Sequence, residues 1–153
     1  MTPLQKFALV GILLGLMLFF FFPDERSVVT VITSDRGDFT FYVTIANTPE
    51  ARAAGLQHVE ALDFDRGMWF VYDEAQPLTY WMKDTLMPLD IVFVDSSGVI
   101  QTIYSNVPPC FDVDPEQVDC PTYSSEGLSR FVLEIGGGVA AAKGIQVGNT
   151  ITF

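Results

Sequence analysis

The sequence predicts a mostly β domain, a compact sandwich or partly closed barrel with two short helices, preceded by one N-terminal transmembrane helix. Three observations predict it. Residues 7–22, FALVGILLGLMLFFFF, carry no charge and no strongly polar group. From Val28 onward, short β-branched and aromatic runs are separated by Gly, Asp and Ser turns. The only two cysteines, Cys110 and Cys120, lie ten positions apart in a loop-like stretch.

The apolar run, as a helix, spans about 24 Å at ~1.5 Å per residue, a little short of the ~30 Å hydrocarbon core. Leu4 extends it and Lys6 reaches the interface by snorkelling. A cleaved signal peptide wants small residues before the cut, and FFFFPDE has none. A run apolar on every face at the terminus is not a core helix. An uncleaved anchor is therefore expected at 7–22, with 1–6 cytoplasmic, 23–27 a short linker and 28–153 outside the cytoplasm. Lys6 and the terminal amine before the span, with Asp24, Glu25 and Arg26 after it, set that orientation. Gly11 and Gly15 form a GxxxG pair through which two such helices could approach as a homodimer.

The body is read as strands at Val28–Thr33, Phe39–Ala46, Gly67–Tyr72, Leu78–Lys83, Asp90–Asp95, Val99–Asn106, Arg130–Ile135 and Thr150–Phe153. The first two form a hairpin around Asp35-Arg36-Gly37-Asp38, and Ser96-Ser97-Gly98 joins a later pair. One helix starts at Thr48-Pro49-Glu50, with Thr48 as cap, Pro49 at the first helical position and Glu50 at the positive dipole end. A second runs Val139–Lys143 after three glycines and stops at Gly144.

Charge narrows the function. From Asp24 onward there are 19 acidic residues against 7 basic ones (8 in the chain less Lys6), a net charge of −12. Such a domain repels nucleic acid and anionic lipid. In an oxidising compartment Cys110 and Cys120 pair as a disulfide. As zinc ligands they are poor, with no CxxC and one distant His58. Between them, Asp112, Asp114, Glu116 and Asp119 are weak calcium candidates, because the loop lacks the EF-hand's glycine and terminal glutamate. A solvated, disulfide-closed loop is the default. The chain has no P-loop, no GxGxxG after a strand, no HExxH and no nucleophile motif near His58, so no cofactor is expected.

The segment Trp81–Asp95 (WMKDTLMPLDIVFVD) is the candidate site. Charges inside an apolar, strand-like run need partners, and sites are often built that way. Alternation puts Trp81 and Lys83 on one side and Tyr80 and Met82 on the other. Trp81, Lys83, Asp84, Thr85 and Asp90 are ligand-binding candidates, with Glu134 from the apolar Phe131-Val132-Leu133 strand. The bland reading is equally open: a core tryptophan, Lys83 paired to Glu134, and Asp90 capping a turn.

Several stretches in order resemble the prokaryotic domain-of-unknown-function family 192. They are Thr48-Pro49-Glu50-Ala51-Arg52 with Gly55-Leu56, Gly67-Met68-Trp69-Phe70-Val71, and Trp81 through Ile91. They continue with Pro108-Pro109-Cys110, Cys120-Pro121-Thr122-Tyr123-Ser124-Ser125, Phe131-Val132-Leu133-Glu134, and Gly144-Ile145 with Val147-Gly148. The resemblance covers about Val28 to Phe153. It implies a mostly β domain of sandwich or jelly-roll type, often exported or anchored, with no established activity, substrate or cofactor. The family's pattern has asparagine at the position of Asp84, and methionine and arginine at those of Gln57 and Val59. If Gln57 and Val59 line the site, this chain binds something different.

The expected function is thus a membrane-anchored extracytoplasmic module that binds a small polar ligand or an envelope polymer. A carboxylate-dependent hydrolase using Asp84, Asp90 and Glu134, and a structural partner of another envelope protein, are the alternatives.

Overall fold

Alternating apolar positions dictate where the strands bury their faces, and the observed sheet follows that pattern. A computed structural model describes residues 27–32, 36–110 and 120–153. The expected anchor at 7–22, with Gly11 and Gly15, and the acidic loop residues Asp112, Asp114, Glu116 and Asp119 lie outside the described residues. Among the described residues no helix is long and apolar enough to cross a membrane.

The elements in chain order are β1 (Ser27–Ile32), β2 (Asp38–Ala46), α1 (Pro49–Ala54), β3 (Arg66–Gln76), β4 (Thr79–Trp81) and β5 (Leu89–Val94). They are followed by β6 (Ile100–Val107), β7 (Thr122–Ser124), β8 (Ser129–Gly136), α2 (Val139–Lys143) and β9 (Thr150–Thr152). Seven strands form one sheet in the order β6-β5-β8-β3-β2-β1-β9, and β4 pairs with β7 in a second, two-stranded sheet. The β2–β3 pair is parallel, its crossover carrying α1; the other pairs are antiparallel. The β1–β2 hairpin and both helices stand where the sequence places them. Strand β7 was not anticipated, because Thr122-Tyr123-Ser124 is too short to show a period.

The large sheet is not closed into a barrel. Its two edges meet only near a single bridge, Val99 to Thr150, supported by Ile151 N donating to the Gly98 carbonyl at 2.7 Å and Ile100 N to Asn149 at 2.9 Å. The sheet instead curls about one core. Val29 and Val31, Phe41 and Val43, Trp69, Val92 and Val94, Phe131, Leu133, Ile135 and Ile151 from six strands meet there, with Val139 and Ala140 of α2.

A second core lies on the opposite face. Phe70, Ile91, Phe93 and Val132 of the sheet pack under Leu56, Leu78, Met82 and Met87, contributed by the loops around α1 and β4. Strand β5 is therefore buried at all six positions, which is why it reads as a continuous apolar run. Gly67 on β3 is fixed by the β3–β8 approach: a side chain there would collide with the Glu134 carbonyl and come within 2.9 Å of the Ile135 side chain.

Between Val71 and Gln76 the β3–β8 register slips. Two guanidinium groups satisfy carbonyls at this irregularity. Arg52 Nη1 donates to Val71 O at 2.9 Å, and Arg130 Nε to Tyr72 O at 3.2 Å. The bulge thereby ties α1 to the sheet beside the second core.

Candidate functional site

Two buried acids stand on the paired strands β5 and β8, and their surroundings differ completely. Asp90 is fully buried. Its Oδ1 accepts from Asn106 N at 2.6 Å and Gly138 N at 2.8 Å, and its Oδ2 accepts from Ala140 N at 2.7 Å. Gly138, the N-cap of α2, has no side chain to bond the first turn, so Asp90 does this from a neighbouring strand. Gly138 at φ 82 and Asn106 at φ 52 bring both amides round to the carboxylate. Asp90 is thus a structural residue on the first-core face, and not part of the pocket described next.

Glu134 is 5 % exposed and points to the second-core face, between Met68 of β3 and Ile91 of β5. Among the described residues its carboxyl has no hydrogen-bond partner and no cation within 4 Å. Burial pushes it up to about 8, from 4.5. It lines a small pocket with Arg52 to Gln57, Phe70, Tyr80, Trp81, Lys83 and Thr85. The cavity is about 40 Å³, room for roughly three waters or one small polar group.

Each wall has a local cause. Thr48 Oγ1 accepts from Ala51 N at 3.2 Å and caps α1, which presents Arg52 and leads into Gly55. Gly55 turns at φ 48 next to the Phe70 ring. Arg52 lies over the Tyr72 ring at 4.8 Å. Tyr80 is wedged edge-on between Phe70 and Phe93 and shares a 3.0 Å hydrogen bond with the Tyr72 hydroxyl. Burial, that hydrogen bond and the nearby Tyr72 and Glu134 all raise the Tyr80 phenol, so it stays protonated. Trp81 alternates outward and is 51 % exposed, with the Lys83 ammonium 5.6 Å from its ring.

Of the predicted residues, the structure brings Trp81, Lys83, Thr85 and Glu134 to one pocket. The alternation placing Trp81 and Lys83 together against buried Met82 agrees with the sequence reading. Lys83 and Glu134 share the pocket without forming an ion pair within 4 Å, so the closed-core pairing is not what is seen. Asp84 does not line the pocket. It sits at φ 55, its N–H donating to Cys110 O at 3.1 Å and its carbonyl accepting from His58 N at 2.9 Å. That left-handed backbone explains why asparagine or aspartate suits the position. Gln57 lines the pocket, whereas Val59 packs against the second core.

Cys110 and Cys120 form a disulfide, with Cα atoms 5.9 Å apart. Cys110 also bridges to Lys83 and Thr85, so the cross-link braces that side of the pocket. Among the described residues no acidic, cysteine or histidine cluster could hold a metal. Sequence reasoning missed Arg52 and Phe70 as lining residues. Arg52 was legible only as part of a helix, and its direction depends on the β3 bulge.

Fold and pocket together define a small, disulfide-braced, mostly β domain with one buried acid under its second face. The chain belongs to the DUF192 family, described as an uncharacterized ACR, whose profile matches residues 30–153. A crystal structure of a protein of unknown function from Novosphingobium aromaticivorans is similar, at TM-score 0.76 and 30 % identity over 86 % of this chain and 90 % of that one. A Sinorhizobium meliloti protein provisionally described as a transcription regulator is similar at TM-score 0.75 and 29 % identity, over 83 % and 92 %. A search of curated proteins returned no match.

Proposed function

We propose that this protein is a membrane-tethered extracytoplasmic module that binds a small polar molecule, or a polar group of an envelope polymer, in the pocket floored by Glu134. One observation carries the reading. A carboxyl 5 % exposed, without a partner among the described residues and lining a pocket, is costly to keep unless something else bonds to it. The Cys110–Cys120 disulfide supports an oxidising compartment, and the charge-free run 7–22 supports a tether.

The hydrolase alternative needs a second carboxyl facing Glu134. Among the described residues Asp84 and Asp90 do not line the pocket, which favours binding. A net charge of −12 from Asp24 onward (19 acidic, 7 basic) repels nucleic-acid phosphates and disfavours a DNA-contacting role in transcription regulation.

Two experiments test the reading. A ligand screen by thermal shift should find compounds that raise the melting temperature, and Glu134→Leu should remove the shift. A screen of metabolites and envelope fragments without a hit would count against binding. After cell lysis the native protein should sediment with membranes; recovery in the soluble fraction would remove the tether.

A further inference from the structure

Resting on that reading, we propose that the ligand is a carbohydrate: a pyranose ring laid against the exposed side of the Trp81 indole, with one hydroxyl-bearing arm in the cavity beside Glu134, Arg52 and Gln57. Two neighbouring features point to it. One is an aromatic plate open to solvent, and the other is a small recess lined by both donors and acceptors.

The plate is Trp81. Strand alternation sends Met82 into the second core and turns the indole outward, 51 % exposed. Among the described residues it is the one large exposed apolar side chain that also lines the pocket. A sugar ring has C–H groups on its faces and hydroxyls round its edge. An open indole beside hydrogen-bonding groups matches both parts of that surface.

The recess supplies the hydrogen bonds. Arg52 gives one N–H to Val71 O, and among the described residues its other N–H groups have no acceptor. Gln57 gives an N–H to Ala53 O at 3.0 Å and keeps its side-chain oxygen as an acceptor. Glu134 has no partner among the described residues, and burial keeps its proton on at neutral pH, so it offers both an O–H and a carbonyl oxygen. A hydroxyl donates and accepts through one atom, and it can use this mixture. The match is indifferent to the pocket's charge, because a hydroxyl carries none. The three groups come from α1, the turn after it and β8, and none from the segment bridged to Cys110. The cavity of about 40 Å³ holds one small polar group and excludes a ring, which therefore stays outside at Trp81.

The test uses the full chain in a polyoxyethylene detergent, which carries no sugar. The probes are glucose, galactose, mannose, N-acetylglucosamine, the tetrasaccharides of glucose and of N-acetylglucosamine, and N-methylacetamide as a sugar-free amide. Calorimetry gives affinities and fluorescence locates the ligand: of the two tryptophans, Trp69 is fully buried and Trp81 borders the pocket. One or more of the sugars is expected to bind and to shift the Trp81 emission. The deoxy analogue lacking the primary hydroxyl of the tightest sugar should bind about tenfold more weakly. Trp81→Ala should weaken binding by about tenfold or more, with the emission of buried Trp69 confirming the fold. Glu134→Gln keeps a donor and an acceptor and should hold the affinity within about threefold, whereas Glu134→Leu should abolish binding. A tetrasaccharide about tenfold tighter than its monosaccharide assigns the site to an envelope polymer, and equal affinities assign it to a free sugar.

Silence from every sugar, N-methylacetamide binding more tightly than all of them, or sugar affinity untouched by Trp81→Ala would overturn the carbohydrate assignment. In any of these cases, a hit from the broader screen that Glu134→Leu abolishes would leave the binding reading standing; no hit there would sink both.

Discussion

Asp90 and Glu134 are one register step apart on adjoining strands, Asp90 opposite Ile135 and Ile91 opposite Glu134, and they face opposite sides of the same sheet. Both are buried, yet Asp90 has three backbone N–H donors and Glu134 has no partner among the described residues. Burial therefore does not distinguish these two acids; saturation does. A carboxylate whose lone pairs are already filled has nothing to offer a ligand, whereas an unsatisfied one at a pocket floor does.

The largest expected effect comes from breaking the saturated member. Asp90→Ala leaves three backbone donors without their acceptor and uncaps α2, at a cost of about 4 kcal/mol or more. Equilibrium denaturation measures this, and faster hydrogen exchange at Gly138 and Ala140 would locate it. Asp90→Asn keeps one acceptor oxygen and should cost about half as much. If Asp90→Ala cost less than 1 kcal/mol, the contrast between the two acids would be lost.

The unsaturated member should show the opposite sign. In the native state Glu134 ionises near 8, against 4.5 when unfolded. Between those pH values the native state holds a proton that the unfolded state has lost. Its contribution is therefore fully present below about 4.5 and is lost as pH rises toward 8, by at most about 1.4 kcal/mol per pH unit. Glu134→Gln should thus stabilise the protein by a few kcal/mol at pH 8 and by almost nothing near pH 4. Comparing the two proteins cancels every other titrating group they share. A difference independent of pH would mean that Glu134 is not buried and neutral.

Much of this was legible in the sequence. The 2-residue period around Trp81–Lys83 put those two side chains together, and Thr48-Pro49-Glu50 fixed a helix start that the cap geometry reproduces. Both acids could be flagged, since each interrupts an apolar strand. What could not be read was which of them is saturated. Asp90's donors come from residues 16, 48 and 50 positions away, and local periodicity has no access to such distances. Asp84 lies outside the pocket lining for a related reason: its backbone turns at φ 55, a local geometry its charge does not announce. That the sheet stays open, its edges touching only at the isolated Val99–Thr150 bridge among the described residues, is likewise something strand counting does not determine.

A smaller effect is expected from the cross-link, which borders one acid's surroundings and not the other's. Opening the Cys110–Cys120 bridge, a sequence separation of 10, should cost up to about 3 kcal/mol in the chain-entropy model. Cys110 bridges Lys83 and Thr85, so the loss should appear in the Trp81 fluorescence and leave exchange at Gly138 and Ala140 slow until global unfolding. A double Cys110→Ser, Cys120→Ser variant checks this. Equal loosening around Asp90 would show that the two faces do not behave as separate regions.

The smallest effect tests the same separation through α1. Thr48→Ala removes the acceptor for Ala51 N and should cost about 1 kcal/mol. The helix it caps carries Arg52 and leads into the Ala53–Gln57 lining of the pocket, and it shares no hydrogen-bond partner with Asp90. The Thr48→Ala and Asp90→Asn costs should therefore add within about 0.5 kcal/mol in the double variant. Thr48→Ala should couple to Glu134→Gln, because fraying α1 admits water to the pocket floor and relieves the burial that keeps Glu134 neutral. The stabilisation Glu134→Gln confers at pH 8 should thus shrink in the Thr48→Ala background. Coupling to Asp90→Asn in place of Glu134→Gln would reverse the assignment of α1 to the pocket side of the sheet.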